Sequence, residues 1–183
     1  MENPNLPLSV TQSSAAAGEA NDVRSLKGDS GLGRSNDDIV SALNELIETS
    51  KDGEKGFALA AQDAKDAALT PIFSAGEQSC RAAALELQEQ VRQLGGKPED
   101  GGSVKGAMHR GWVSVKTAAT SRDALAVLEE CERGEDVAKA RYADALKNEL
   151  PPEVHALVEK QYQGVMENHD KVKVLRDKYR AAK

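Results

Sequence analysis

Apolar positions recur in steps of three and four over four long stretches of the chain, the signature of helices that each bury one face. The first stretch carries Ile39, Leu43, Leu46, Ser50, Glu54, Phe57, Ala61 and Ala64 on one stripe. Ser35 or Asn36 can cap it, and Asp37 and Asp38 suit the positive end of its dipole. The second stretch carries Phe73, Glu77, Cys80, Ala84, Leu87, Val91 and Leu94 and stops at Gly95-Gly96. The third reads Ala124, Leu128, Cys131, Glu135, Ala138, Tyr142 and Ala145, after a capping-box-like Thr120-Ser121-Arg122-Asp123. Pro151-Pro152 divides it from the fourth, on which His155, Val158, Tyr162, Val165, His169 and Val172 share a face. The second helix has two available starts, Thr70-Pro71 or an earlier one capped by Asp66. The earlier start is expected, because a turn near Lys65-Asp66 sets Glu54 and Glu77 level, whereas a turn at Thr70 offsets them by roughly 9 Å at about 1.5 Å per residue.

The segment joining the second and third helices is too long for a tight hairpin. It opens with polar Lys97-Pro98-Glu99-Asp100-Gly101-Gly102 and continues from Ser103 as a short helix with Val104, Met108, Trp112 and Val115 at helical spacing. A long connection at this point makes a crossover bundle rather than a simple up-down one. The predicted fold is therefore all-α: a ferritin-like antiparallel four-helix bundle over residues 36–180, with a short helix in the crossover. Met1 to about Ser35, rich in Ser, Ala, Gly and Asn and without an apolar period, is expected to be a disordered N-terminal arm.

Composition narrows the partners. Aromatic residues make up only 3% of the chain, so the core has to be built from Ala, Leu, Val and Ile, as in bundles rather than sandwiches. A net charge of -6 and the lack of a basic patch interleaved with aromatics argue against nucleic acid and against an anionic membrane surface. No apolar run is long enough to span a bilayer. Met1-Glu2-Asn3-Pro4 does not resemble a secretory signal, and two cysteines make no disulfide scaffold, so a reducing cytoplasm is the expected compartment. A symmetric homodimer is the expected assembly.

Candidate chemistry comes from polar residues placed on the apolar stripes. Glu54, Glu77, Glu135 and His169 fall one to each main helix, all at inward positions. A buried carboxylate costs several kcal/mol unless a cation, a proton or hydrogen-bond donors compensate it. Di-iron and di-manganese bundles meet that cost with a Glu from each of two helices and a Glu-x-x-His from each of the other two. Here Glu77-Gln78-Ser79-Cys80 has cysteine in place of one histidine, and Met166-Glu167-Asn168-His169 has methionine in place of one bridging glutamate. The candidate metal ligands are thus Glu54, Glu77, Glu135 and His169, around iron or manganese, with metal oxidation as the natural chemistry. The competing expectation is that the glutamates reach solvent from the edges of wide stripes, and that His169 bonds to a Tyr or Glu neighbour.

Over about Asn36 to Tyr179 the chain resembles a bacterial family of uncharacterised ferritin-like four-helix-bundle proteins, a domain of unknown function. The resemblance is carried by the run from Asp38 through Leu46 to Gly56-Phe57, by Leu87 to Gly95-Gly96-Lys97-Pro98, by Cys131-Glu132-Arg133-Gly134-Glu135-Asp136, and by Tyr162, Val165 and His169-Asp170. It implies the fold and specifies no metal site.

Other features point to packing. Cys80 and Cys131 are expected to serve as small core hydrophobes, and Tyr142 and Tyr162 as packing residues with satisfied hydroxyls. His109 and His155 are expected to be surface or crossover residues. Gly31-Leu32-Gly33 is no phosphate loop, because no Gly-Lys-Ser/Thr follows it. Lys171, Lys173, Arg176, Lys178 and Arg180 are expected on a solvated face at the end of the last helix. The expected role is a non-enzymatic structural, stress-related or interaction bundle with a polar core. The alternative is a protein with an incomplete iron or manganese site.

Overall fold

The computed structural model describes residues 35–64, 66–100 and 123–183. Among these residues the regular structure is entirely helical, comprising α1 (Asn36–Asp63), α2 (Thr70–Gln93), α3 (Ala124–Leu146) and α4 (Pro152–Ala181). The N-terminal arm before Ser35 and the short helix expected from Ser103 lie outside the described residues.

Local chemistry sets the helix ends. At α1, Ser35 Oγ accepts from the Asp38 backbone N–H at 3.3 Å while the Asp38 carboxylate accepts from the Ser35 N–H at 3.3 Å. This reciprocal cap stabilises the helix start by about 1 kcal/mol. The start of α2 corrects the expectation of an earlier helix start capped by Asp66, although the chain turns between Asp63 and Thr70, around the expected position. Helix α2 begins at Thr70, with Pro71 in its first turn, where a missing N–H costs nothing. Asp66 closes a turn instead of capping a helix. Its carbonyl accepts from the Leu69 N–H at 2.9 Å and its carboxylate from the Ala68 N–H at 2.9 Å. The Tyr179 hydroxyl donates to the same carboxylate, tying this turn to the end of α4. Helix α3 is capped by Asp123, which accepts from the Leu125 N–H at 3.1 Å; Thr120 to Arg122 lie outside the described residues. At the end of α2, Gly95 takes a φ of 77°, and the Gly95 and Gly96 N–H groups bond back to the Arg92 and Val91 carbonyls.

The apolar stripes meet in two clusters. One joins Ile39, Leu43, Leu46 and Ile47 of α1 to Leu87 and Val91 of α2, Tyr142 of α3, and Val154 and Val158 of α4. The other joins Phe57, Leu69, Phe73, Leu128, Cys131 and Val172. Small residues let α1 and α2 approach. A Cβ on Gly76 would stand 3.0 Å from the buried Phe57 ring, and one on Gly53 would stand 2.8 Å from Cys80 Sγ.

Cross-contacts run in opposite sequence order along neighbouring helices. Val40 faces Gly96, Gly53 faces Cys80 and Phe57 faces Gly76. Between α3 and α4, Tyr142 bonds Gln161, Glu135 bonds Asn168 and Glu129 bonds Arg180. Helix α1 packs on α2 and α3, and α4 packs on α3 and, least extensively, on α2. After Gly96 the chain turns back along α1. Asn44 holds Lys97 and Glu99 through their backbone, and Lys51 donates to the Asp100 carbonyl at 2.6 Å. No helix among the described residues is long and apolar enough to cross a membrane.

Candidate functional site

Between the two apolar clusters the bundle interior becomes polar. Ser50 of α1 meets the Tyr142 hydroxyl of α3 at 3.1 Å, and that hydroxyl donates to Gln161 Oε1 of α4 at 2.9 Å. A phenol has one proton, so Ser50 is the donor in its own bond. Gln161 Nε2 in turn donates to Glu86 Oε2 of α2 at 2.9 Å, and Lys160 closes the chain on Glu86 Oε1 at 3.1 Å. One run of hydrogen bonds therefore links all four helices. Each member satisfies its neighbour, which makes burial tolerable and fixes the helices relative to one another.

Beside this run is a cavity of about 220 Å3 walled by all four helices. Its walls are largely small: Gly53, Ala83, Gly134, Ala138 and Gly164 leave room that larger side chains would fill. Glu135 contributes the one carboxylate of α3 to this wall and is 3% exposed. Its Oε1 accepts from Asn168 Nδ2 at 3.0 Å, while its Oε2 is buried without a hydrogen-bond partner. Burial pushes the Glu135 carboxyl up to about 7, Asn168 opposes that rise, and Asp136 adds to it. Near neutral pH this group can hold or release a proton.

The neighbouring groups are not activated. Burial pushes the Cys80 thiol well above its ordinary value, and Glu135 and Glu54 push it further. Burial likewise raises Cys131 and Tyr142. A thiol or phenol held in its neutral form is a poor nucleophile, so the cavity offers binding chemistry more readily than covalent chemistry.

The sequence-predicted ligands are distributed over three places. Glu54 and Glu77 both bind Arg81, accepting from its Nε and Nη2 at 2.7 Å each, on the half-buried edge of α1 and α2. Glu135 lies in the cavity. His169 is buried but is held between Asp136 and Asp170, each carboxylate 3.1 Å from one ring nitrogen. The partner expected for His169, a Tyr or Glu, is thus replaced by two aspartates. Among the described residues, no group of three or more His, Cys, Asp and Glu side chains is arranged to hold a metal ion.

Gln161, Asn168, Glu86 and Arg81 were not singled out by the sequence pattern. Arg81 was detectable, since Glu77 and Arg81 are four apart on one helix, the spacing of a favourable pair. Gln161 and Asn168 gave weaker signals, each lying one position before a stripe residue.

No curated protein is significantly similar to this chain. A family model described as "Domain of unknown function (DUF2383)" matches residues 38–148, which take in α1, α2 and α3. With more than half of its length matched, the chain belongs to the DUF2383 family.

Proposed function

We propose that the chain is a ferritin-like antiparallel bundle over residues 36–180, with its crossover between α2 and α3, and that it acts as a non-enzymatic binding module holding a small ligand in the interior cavity. The opposed order of cross-contacts supports the antiparallel arrangement. The crossover is supported by the positions of its two ends. Gly96 lies beside Val40 near the start of α1, whereas Leu128, early in α3, shares a cluster with Phe57 near the end of α1. The observation that carries the binding role is Glu135 Oε2, an acceptor buried in the wall of the cavity with no hydrogen-bond partner among the described residues. Buried polar groups are nearly always satisfied, and a ligand is one way to satisfy this one.

A ring-sized probe tests the cavity. Benzyl alcohol should shift the backbone amide resonances of Ser50, Ala83, Ala138 and Gly164 in a saturable way. Gly164→Leu should abolish those shifts, because a Cβ at Gly164 meets open space that the longer side chain would fill. Scattered shifts, or shifts that survive in Gly164→Leu, would remove the cavity from consideration.

The metal-binding alternative places iron or manganese among Glu54, Glu77, Glu135 and His169. It requires Glu54 and Glu77 to leave Arg81, and His169 to leave its aspartates. On the binding-module reading, neither iron(II) nor manganese(II) raises the melting temperature of the parent relative to Glu77→Ala. A saturable rise in the parent that Glu77→Ala loses would establish the metal site instead.

A further inference from the structure

We propose that the cavity selects a small organic cation, an ammonium group on an apolar body about the size of one ring, with Glu135 as its counter-ion. This inference rests on the binding-module reading and specifies its ligand. The vacant acceptor is a carboxylate oxygen, and a charge-assisted hydrogen bond from N–H to an ionised carboxylate is roughly twice as strong as one between neutral groups. Asn168 already holds Oε1, which leaves Oε2, buried in the cavity wall, as the oxygen that a donor reaches once the carboxylate rotates slightly.

No basic side chain on the described walls of the cavity is available to pair with Glu135. The one basic side chain there, Lys160, is exposed at the rim and bonded to Glu86. The side-chain N–H groups of Gln161 and Asn168 are directed at Glu86, the Ala83 carbonyl and Glu135 Oε1. Lys139, whose charge draws the Glu135 carboxyl down, is engaged with Asp136 and does not line the cavity, so a positive charge inside the cavity has to come from outside the chain.

Size and wall chemistry define the rest of the ligand. A dry cavity of about 150 Å3 accepts benzene, and this one, at about 220 Å3, has room for a ring with a short aminomethyl arm. A bare metal ion is a poorer match, because a divalent cation needs several oxygen or nitrogen ligands and, among the described residues, no group of three or more His, Cys, Asp and Glu side chains is arranged to supply them. Entry is available between α2 and α4, the least extensive of the packed helix pairs. There Ser79 and Ala82 are exposed and Gly164 has open space above its Cα.

Calorimetric titration of the full chain with benzylamine and with its neutral counterpart benzyl alcohol, at about pH 8, separates charge from shape. Benzylamine should bind about tenfold more tightly, a preference consistent with one charge-assisted bond. Glu135→Gln should bring the two probes within about twofold of each other, and Gly164→Leu should abolish both. Equal binding of the two probes to the parent would overturn the ammonium assignment and leave the cavity reading intact. Binding of neither probe would overturn both.

Discussion

The stability gained by Glu135→Gln is expected to rise by about 3 kcal/mol between about pH 4 and about pH 8, measured as the difference from the parent in urea unfolding at each pH. The sign follows from the direction of the shift. Burial lifts the folded-state value from an ordinary 4.5 to about 7. Below about 4.5 the carboxyl is protonated in both folded and unfolded chains, and it contributes no pH dependence. Between about 4.5 and 7 the unfolded chain releases its proton while the folded chain keeps it, so the parent loses stability as pH rises. Above about 7 both forms are ionised and the loss is complete. At about 1.4 kcal/mol per unit, the interval corresponds to about 3 kcal/mol. Glutamine carries no such charge, but its amide nitrogen would occupy the vacant oxygen position without an acceptor, at a cost of about 1 kcal/mol at every pH. The diagnostic is therefore the slope between the two pH values. A difference between variant and parent that does not change with pH would show that Glu135 is solvated.

How much of this site could be read in the sequence differs from one residue to the next. The stripes of α1 and α3 placed Ser50, Leu128, Cys131, Glu135 and Tyr142 inside, because a period near 3.6 fixes direction for short or central side chains. The same period left Glu54 and Glu77 ambiguous. Their long side chains start near the core and reach its edge, where Arg81 holds both. The expected early start of α2 rested on setting these two glutamates level with each other. The two glutamates do lie level enough to share Arg81, but the turn that sets them so uses Asp66 for its own bonds and for Tyr179, and the helix starts later, at the Thr70-Pro71 signal. His169 was correctly read as interior, but its partners are the adjacent residue on α4 and a residue of α3, and register between helices cannot be counted from one stripe. The four-helix run through Gln161 shows the same limit. Its existence depends on which turn of α2 lies opposite α4, and the connection that sets this includes residues outside the described chain.

Arg176 gives the largest departure from the sequence expectation, and the largest expected effect. Placed by its basic neighbours on a solvated face, it is instead 17% exposed at its side chain and paired with Glu132, which is 10% exposed. Its guanidinium also reaches Asp177, with Nε to Oδ1 at 2.9 Å. Removing one member of a buried pair leaves the other charge uncompensated, so Arg176→Ala and Glu132→Ala should each cost about 3 to 5 kcal/mol. Asp177 can retain Arg176 in part, which puts Glu132→Ala at the lower end of that range. Arg176→Lys should recover only part of the loss, since an ammonium cannot span Glu132 and Asp177 as a planar fork does. The double variant Glu132→Leu/Arg176→Met should be more stable than either alanine variant, because apolar side chains of similar volume restore the packing without stranding a charge. Alanine variants that each cost under about 1 kcal/mol, with effects that add, would mean that water reaches both groups and that the pair contributes no more than a surface ion pair. Non-additivity is the expected result: once Arg176 is gone, Glu132 has lost the partner that stabilised its charge, so replacing it should then relieve strain on the fold instead of adding to it.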